Sequence, residues 1–281
     1  MFKQKKIKIQ ISETNLGLER VIWELTNFPM DVVINKTVWI AYDTDIKIYG
    51  LSKESMESIL TYSWKMMFIK RRAIKIFIDE GYGEKLIYIG QINNAIPVYE
   101  QPNVYVHIKA SAGTFQNTMA EVPPSAIKGD VPVPDVFEKI AKDYGLGFKN
   151  NDVPRNIICK NPYFDQFGLT NRLAEARRAY DVDCQVFFDR VEIYPKGNAG
   201  KYGRLWDVSK EDYIGYPAFT DTGVLLNFDS VFEVELFDTI NVYGSDIEEA
   251  NAPWRVQRIS YHLSTKIGGK WFMQINGGWI G

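Results

Sequence analysis

The side chains that most often do chemistry are sparse in this chain. Its 281 residues include two histidines, His107 and His262, and two cysteines, Cys159 and Cys184. A zinc amidase centre draws on clustered histidines, and a tetrahedral structural zinc site needs four ligands. His107 and His262 instead stand in different regions of the chain. Each lies within a strand-like pattern, where a histidine is expected to be exposed or hydrogen-bonded. Neither cysteine has the local context of a Cys–His nucleophile. Without an export signal both are read as reduced core thiols that pack as small hydrophobes. Asp and Glu together number 35, but no motif nominates a carboxylate pair of the kind that glycoside hydrolysis sets roughly 5–9.5 Å apart. Gly81-Tyr82-Gly83 reads as a hairpin turn, Gly145-Leu146-Gly147 as a helix stop, and Gly268-Gly269-Lys270 as a β turn. None opens a helix after a strand, as a phosphate cradle must. No catalytic, cofactor-binding or metal-ligating residue is nominated, no cofactor is expected, and the chain is read as a non-enzyme.

Composition narrows the class further. The hydrophobic share of 46% and charged share of 24% are ordinary for a globular protein. The aromatic share of 14% is high and favours strands or large buried interfaces. A net charge of -2 gives no global basic field, so sequence-specific nucleic-acid binding is not expected. The lysines near the N-terminus are followed by no apolar signal-peptide core, and no apolar run approaches the ~20 residues that span a bilayer. The expectation is a chain that folds in the cytoplasm without membrane insertion.

The elements that must position these residues can be read from periodicity. Ile7, Ile9 and Ile11 alternate with Lys6, Lys8 and Gln10, the pattern of a half-buried strand. A turn at Asn15-Leu16-Gly17, a segment Glu19–Leu25 and a break at Phe28-Pro29-Met30 follow. Strands are expected over Val32–Tyr42, Asp45–Tyr49, Arg72–Ile78 and Lys85–Ile92, then around Val104, Val106 and Ile108. Between them Ser52 is a natural N-cap for a helix carrying Met56, Ile59 and Leu60 to about Trp64. One short helix among strands suggests a small barrel or sandwich. The proline-rich stretch 113–129 reads as a linker, ordered or not.

The period then changes. Val136, Phe137, Ile140, Ala141 and Tyr144 share one helical face that Gly145 stops. A second helix is expected from an N-cap at Thr170 to about Tyr180, with Arg172, Arg177 and Arg178 as a solvated face. Cys184–Phe188 and Val191–Tyr194 follow as a hairpin around Asp189-Arg190. Beyond a flexible 196–200 stretch, strands return at Val224–Asn227, Thr239–Tyr243, Trp254–His262 and Lys270–Ile275. The expected domains are a β region 1–112, a linker 113–129, an α+β module 130–197 and a second β region 198–281.

Three stretches resemble baseplate hub proteins of contractile-tailed bacteriophages. They are Asp45–Ser52 with Met56 behind it, Val131–Phe137 running to Tyr144-Gly145-Leu146, and Ile214–Gly223. The last is followed by Trp254-Arg255-Val256, His262-Leu263 and Trp271-Phe272. The resemblance spans nearly the whole chain in the family's order, and extends to the hub base of type VI secretion spikes. It implies a mainly β fold with α+β content, in which two tail-tube-like β-barrel domains flank a small α+β module. It further implies a homotrimer with pseudo-six-fold character, adapting a six-fold tail tube to a three-fold spike and lining the ejection channel. The implied partners are further copies of the chain, the tail tube or distal tube protein and a separate central spike protein. Baseplate wedge and tape measure proteins would be further neighbours. The implied location is the tail baseplate of the virion, assembled in the host cytoplasm.

A competing class is a tail protein that binds or cleaves peptidoglycan. The segment Val136–Gly145 resembles the first helix of LysM modules, yet an amphipathic helix with a glycine stop has the same pattern and a bare helix makes no sugar groove.

Overall fold

In the computed structural model of the chain, the described residues are 5–15, 18–38, 42–64, 71–100, 103–112, 122, 124–164, 168–187, 190–197 and 203–280. The turn expected at 16–17, the end of the strand expected to reach residue 42, the hairpin turn at 188–189 and residues 198–200 fall wholly or partly outside them. So do 113–121 and 123 of the linker and the side chain of Leu60.

The first β region contains β1 (Lys6–Asn15), β2 (Leu18–Leu25), β3 (Met30–Thr37), β4 (Asp43–Tyr49), β5 (Arg71–Asp79), β6 (Lys85–Glu100) and β7 (Asn103–Ser111). Helix α1 (Lys53–Trp64) interrupts them after β4, and the Ser52 hydroxyl accepts the Ser55 N–H at 3.1 Å, the expected N-cap. Ile7, Ile9 and Ile11 are buried, as their alternation with lysine demands. Strand β6 runs longer than its periodicity indicated, because β7 continues to pair with it out to Glu100.

The middle of the chain opens with the short strands β8 (Ser125–Ala126) and β9 (Asp130–Pro132), followed by α2 (Val133–Asp143). The next strands are β10 (Gly147–Asn150), β11 (Ile158–Lys160) and β12 (Tyr163–Phe164). Helix α3 (Leu169–Tyr180) and the hairpin β13 (Val182–Val186) and β14 (Arg190–Pro195) complete this part. The predicted face of α2 is buried throughout, and Gly145 takes the positive φ of 71° that stops the helix. Helix α3 starts two residues earlier than its sequence suggested: Gly168, at φ 87°, is the N-cap, and Thr170 lies inside the helix. Strand β10 joins β14 in parallel, so the hairpin becomes a three-stranded sheet on which α2 packs.

One expectation is overturned within α3. Arg172 does not belong to a solvated face; it is fully buried. It sits at i+3 from Leu169 and i−4 from Ala176, on the same face as the apolar residues of the helix. Its guanidinium donates to the Val122 carbonyl at 2.9 Å and the Ser125 hydroxyl at 3.2 Å, and lies 5.5 Å from the Tyr144 ring centre. Arg177 is half-buried beside Asp183, and Arg178 is exposed. The described part of the linker is thereby strapped to the module, with Val122 and Ile127 packed against the module's apolar cluster.

The last part holds β15 (Leu205–Ser209), β16 (Ala218–Thr220), β17 (Gly223–Phe228), β18 (Thr239–Tyr243), β19 (Pro253–Ser264) and β20 (Trp271–Trp279). Strand β19 pairs antiparallel with β3, from Arg258 opposite Thr37 to Ser264 opposite Asp31. This seam joins both ends of the chain into one thirteen-stranded sheet, whose main path runs β16-β17-β20-β19-β3-β4-β7-β6-β5-β1-β2. The path stays open at its ends among the described residues. One face is buried along it: Leu263, Val32, Ile46, Ile108 and Ala95 form a single buried row across five neighbouring strands. A sheet can bury one face in its own core only by wrapping around it, and both β regions contribute to that one core. The Glu80 carboxylate ties the far side, accepting from the Trp271 indole at 2.7 Å and the Val231 N–H at 3.2 Å.

Candidate functional site

The other face of the seam is polar and continuous across the two β regions. Four rows of side chains cross it. The first runs Ser260, Asn35, Asp43 and Ser111; the second runs Phe272, His262, Val33, Asp45 and Lys109. The third runs Ser264, Asp31, Lys47 and His107, and the fourth pairs Tyr49 with Tyr105. Period-2 alternation places these residues opposite the buried row, so the strand that hides Val32 and Ile34 must present Asp31, Val33 and Asn35.

Hydrogen bonds knit this face across the seam. Ser260 donates to the Asn35 amide oxygen at 3.0 Å, and Asn35 donates in turn to Asp43 at 3.3 Å. Asp31 accepts from Lys266 at 2.6 Å, from Ser264 at 2.7 Å and from the Tyr49 hydroxyl at 3.2 Å. The Lys266 ammonium also lies 3.5 Å from the Tyr49 ring centre. Burial works to raise the Asp31 carboxyl, but the donors Lys266 and Ser264 and the lysine charge outweigh it and hold the group below its ordinary value. Lys266 is raised in return: its partial burial opposes the charge, and the bonds to Asp31 and Tyr49 overcome it. Gly269 makes room for this cluster, since a Cβ there would overlap the Ser264 side chain.

Both histidines lie on this same face. Nε2 of His107 is 2.8 Å from the Asp45 carboxylate, and His262 stacks on Phe272 with ring centres 4.6 Å apart. Burial, and then the charge of Lys270, push the His262 imidazole below its usual value. Three strand steps separate β19 from β7, so the two imidazoles stand on the order of 15 Å apart. Sequence separation concealed their shared face, while the spacing rules out a common metal. Among the described residues no group of three or more His, Cys, Asp or Glu side chains could hold a metal ion. Cys159 and Cys184 are both free and buried within the middle module. Burial raises the Cys184 thiol to about 12, and Cys159 contacts the Tyr180 hydroxyl. No helix of the described residues is long and apolar enough to cross a membrane.

A second polar locus, absent from the sequence reading, lies where the middle module meets the sheet. Glu192 on β14 is buried there. It accepts from Arg190 at 2.7 Å, Asn151 at 2.9 Å and the Tyr194 hydroxyl at 2.9 Å. Burial would raise this carboxyl, but those donors hold it below its ordinary value. Aromatic contacts fasten the same junction: Tyr42 meets Phe187 edge-on at 6.1 Å, and Tyr194 packs on Phe237 at 5.3 Å. None of these residues shares a motif, so no sequence signal could have grouped them.

A sheet woven from both ends of a chain, with an α+β module set between them, is a fold that solved tail proteins share. The fold of a prophage MuSo2 43 kDa tail protein from Shewanella oneidensis superposes with a TM-score of 0.63 at 10% identity, covering 96% of each chain. A tail protein from Neisseria meningitidis gives 0.59 at 10% identity, over 98% of this chain and 96% of the other. The c3393 protein of E. coli, a component of the type VI secretion system, gives 0.59 at 10% identity, over 90% and 74%. No curated protein matches in sequence. The family model described as Baseplate hub gp41 matches residues 18–277. The chain belongs to that baseplate hub family of structural phage tail proteins.

Proposed function

We propose that the chain is the hub subunit of a phage baseplate. Three copies would form a pseudo-six-fold ring that adapts a six-fold tail tube to a three-fold central spike. The observation that supports this best is the β3–β19 seam. It gives each subunit two β regions in one sheet, with a largely polar face that three subunits could turn toward a common channel. A closed ring of head-to-tail contacts also leaves no strand edge free to aggregate.

In this reading residues 1–112 and 198–281 are the two tube-type domains, 113–129 the linker, and 130–197 a module outside the ring. The partners are the tail tube or distal tube protein, a separate spike protein, and neighbouring wedge and tape measure proteins. The E. coli relative is described as similar to the phage T4 tail proteins gp27 and gp5, which is consistent with a spike neighbour. The ring forms in the host cytoplasm and serves in the virion, without enzymatic activity of its own.

Native mass spectrometry of the full chain, alone and with its tube and spike proteins, tests the assembly. A trimer alone or on the partners is expected. A hexamer of whole subunits, or a monomer in every mixture, would overturn the reading. Incubation with purified cell-wall sacculi tests the non-enzymatic part: release of reducing sugar or free amine, abolished by a single Asp or Glu substitution, would refute it.

A further inference from the structure

The junction between the middle module and the sheet holds a cavity of about 230 Å³. Its walls carry Lys36 from β3, Lys149 from β10, Arg190 and Glu192 from β14, and Glu235 and Asp238 from the segment before β18. Most of this charge is already matched. Glu192 has the donors named above. Asp238 accepts from the backbone N–H of Arg204 at 2.7 Å, the Trp206 indole at 2.8 Å and the backbone N–H of Glu235 at 2.9 Å. The Arg204 guanidinium stands 3.5 Å from Asp238.

Lys36 is different. Its ammonium lies between two aromatic rings, 5.2 Å from the centre of Tyr261 and 5.9 Å from that of Tyr42. No hydrogen-bond acceptor or carboxylate lies within reach of it among the described residues. An ammonium has three N–H donors and no acceptor of its own, so the half-buried Lys36 gives up part of its hydration with no protein acceptor in return. Arg190 and Lys149 both engage Glu192, and Arg204 engages Asp238, so among the described cations at this junction Lys36 is the one without a carboxylate in bonding distance, Glu235 acting on it from further off. Lys149 reaches Glu192 at 3.4 Å with over half of its side chain exposed (58%), which puts it at the mouth of the cavity. The unfilled space is large enough for several waters or for one small polyatomic ion.

We propose that this cavity is a binding site for a small oxyanion, with the Lys36 ammonium as its direct ligand and Lys149 at the entrance. An oxyanion would supply the acceptor that the lysine lacks. Its charge would also oppose the loss of the Lys36 proton, which burial otherwise promotes by lowering the amine to about 8 against the weaker pull of Glu235. Tyr42 and Tyr261, held protonated by burial, stay neutral beside it. The ion would bridge β3 of the sheet to β10 and β14 of the module, and so tighten the hold of one on the other.

The test is calorimetric titration of the full chain with inorganic phosphate and, separately, with acetate, each against sodium chloride at equal ionic strength. Saturable binding of at least one oxyanion is expected, weakening as pH rises from 7 through 9. The outcome tells a phosphate site from a carboxylate site. Lys36→Met should lose at least tenfold in affinity while keeping or raising its melting temperature, and Lys149→Met should lose about two- to fivefold. Chloride acting as well as both oxyanions, or Lys36→Met binding with unchanged affinity, would overturn the proposal.

Discussion

Lys266, on the turn that links β19 to β20, places its ammonium 2.6 Å from the carboxylate of Asp31 at the start of β3. This contact ties the last strand pair of the chain to one of its first. Ser264 and Tyr49 complete the shell of Asp31, so a single carboxylate gathers donors from β19, its turn and β4.

The first prediction concerns that carboxylate. Its folded value lies below the unfolded one, so its stabilising effect is present above the ordinary carboxyl range and fades as pH falls through the folded value. Both partners are about a third exposed (36%), so solvent screening limits the effect. Asp31→Asn should cost about 1 kcal/mol at pH 7. In urea unfolding, the gap between wild type and Asp31→Asn should narrow progressively as pH falls below the ordinary carboxyl range. A gap of constant size would show that the charge of Asp31 does not hold the seam.

Gly269 offers an independent probe of the same place. A methyl group there would collide with Ser264, whose hydroxyl is bound to Asp31. Gly269→Ala should destabilise the chain by about 1–2 kcal/mol, and Gly269→Ala with Ser264→Ala by less than the sum of the two. Strict additivity would mean that the turn relaxes without disturbing Asp31.

Lys36 sets the opposite expectation, since replacing this charge should help in a buffer free of oxyanions. Burial lowers its folded value to about 8, against 10.5 for the ordinary amine. The unfolded chain therefore binds the extra proton between those limits. The lysine's penalty is fully present below about pH 8 and disappears as pH rises toward 10.5. Lys36→Met should gain on the order of 1 kcal/mol at pH 7. That advantage should shrink as the wild type is taken to pH 10, measured by denaturant titration in chloride. A Met variant less stable at every pH would show that the ammonium is stabilised where it stands.

Arg172 should be far less tolerant. It is fully buried, and its loss strands the Val122 carbonyl and opens a void against Tyr144. Arg172→Ala is expected to cost about 3–5 kcal/mol, and Arg172→Lys to recover little, because a lysine cannot fork to two acceptors. Hydrogen exchange should rise first at Ser125–Ile127, where the strap is paired to β12. Unchanged exchange there would show that the strap holds without the arginine.

The two cysteines are expected to be silent in the native state. With its thiol raised to about 12 by burial, Cys184 has negligible thiolate at pH 7. Ellman's reagent should label it only on unfolding, and the double replacement by serine should fold with a loss of roughly 1–3 kcal/mol per buried site. Fast labelling of folded protein at Cys184 would contradict the burial.

Local pattern alone determined a good deal here. Ile7, Ile9 and Ile11, the Ser52 cap, the apolar face of α2 and the Gly145 stop each depend on neighbours within one strand or one helical turn. A single sequence carries that information in full. Even Arg172 was legible in principle, because its spacing from Leu169 and Ala176 put it on the buried face; only its charge argued otherwise. The tertiary structure decided what period-2 alternation cannot express. Alternation states which face of β3 is buried, but not that β19, more than 200 residues later, is its neighbour. For that reason His107 and His262 share one face, Asp31 finds Lys266, and Lys36 is left between two tyrosines at a junction of three segments. Strand pairing is set by the total burial of the wrapped sheet, a sum over the whole chain, and no window of sequence contains that sum.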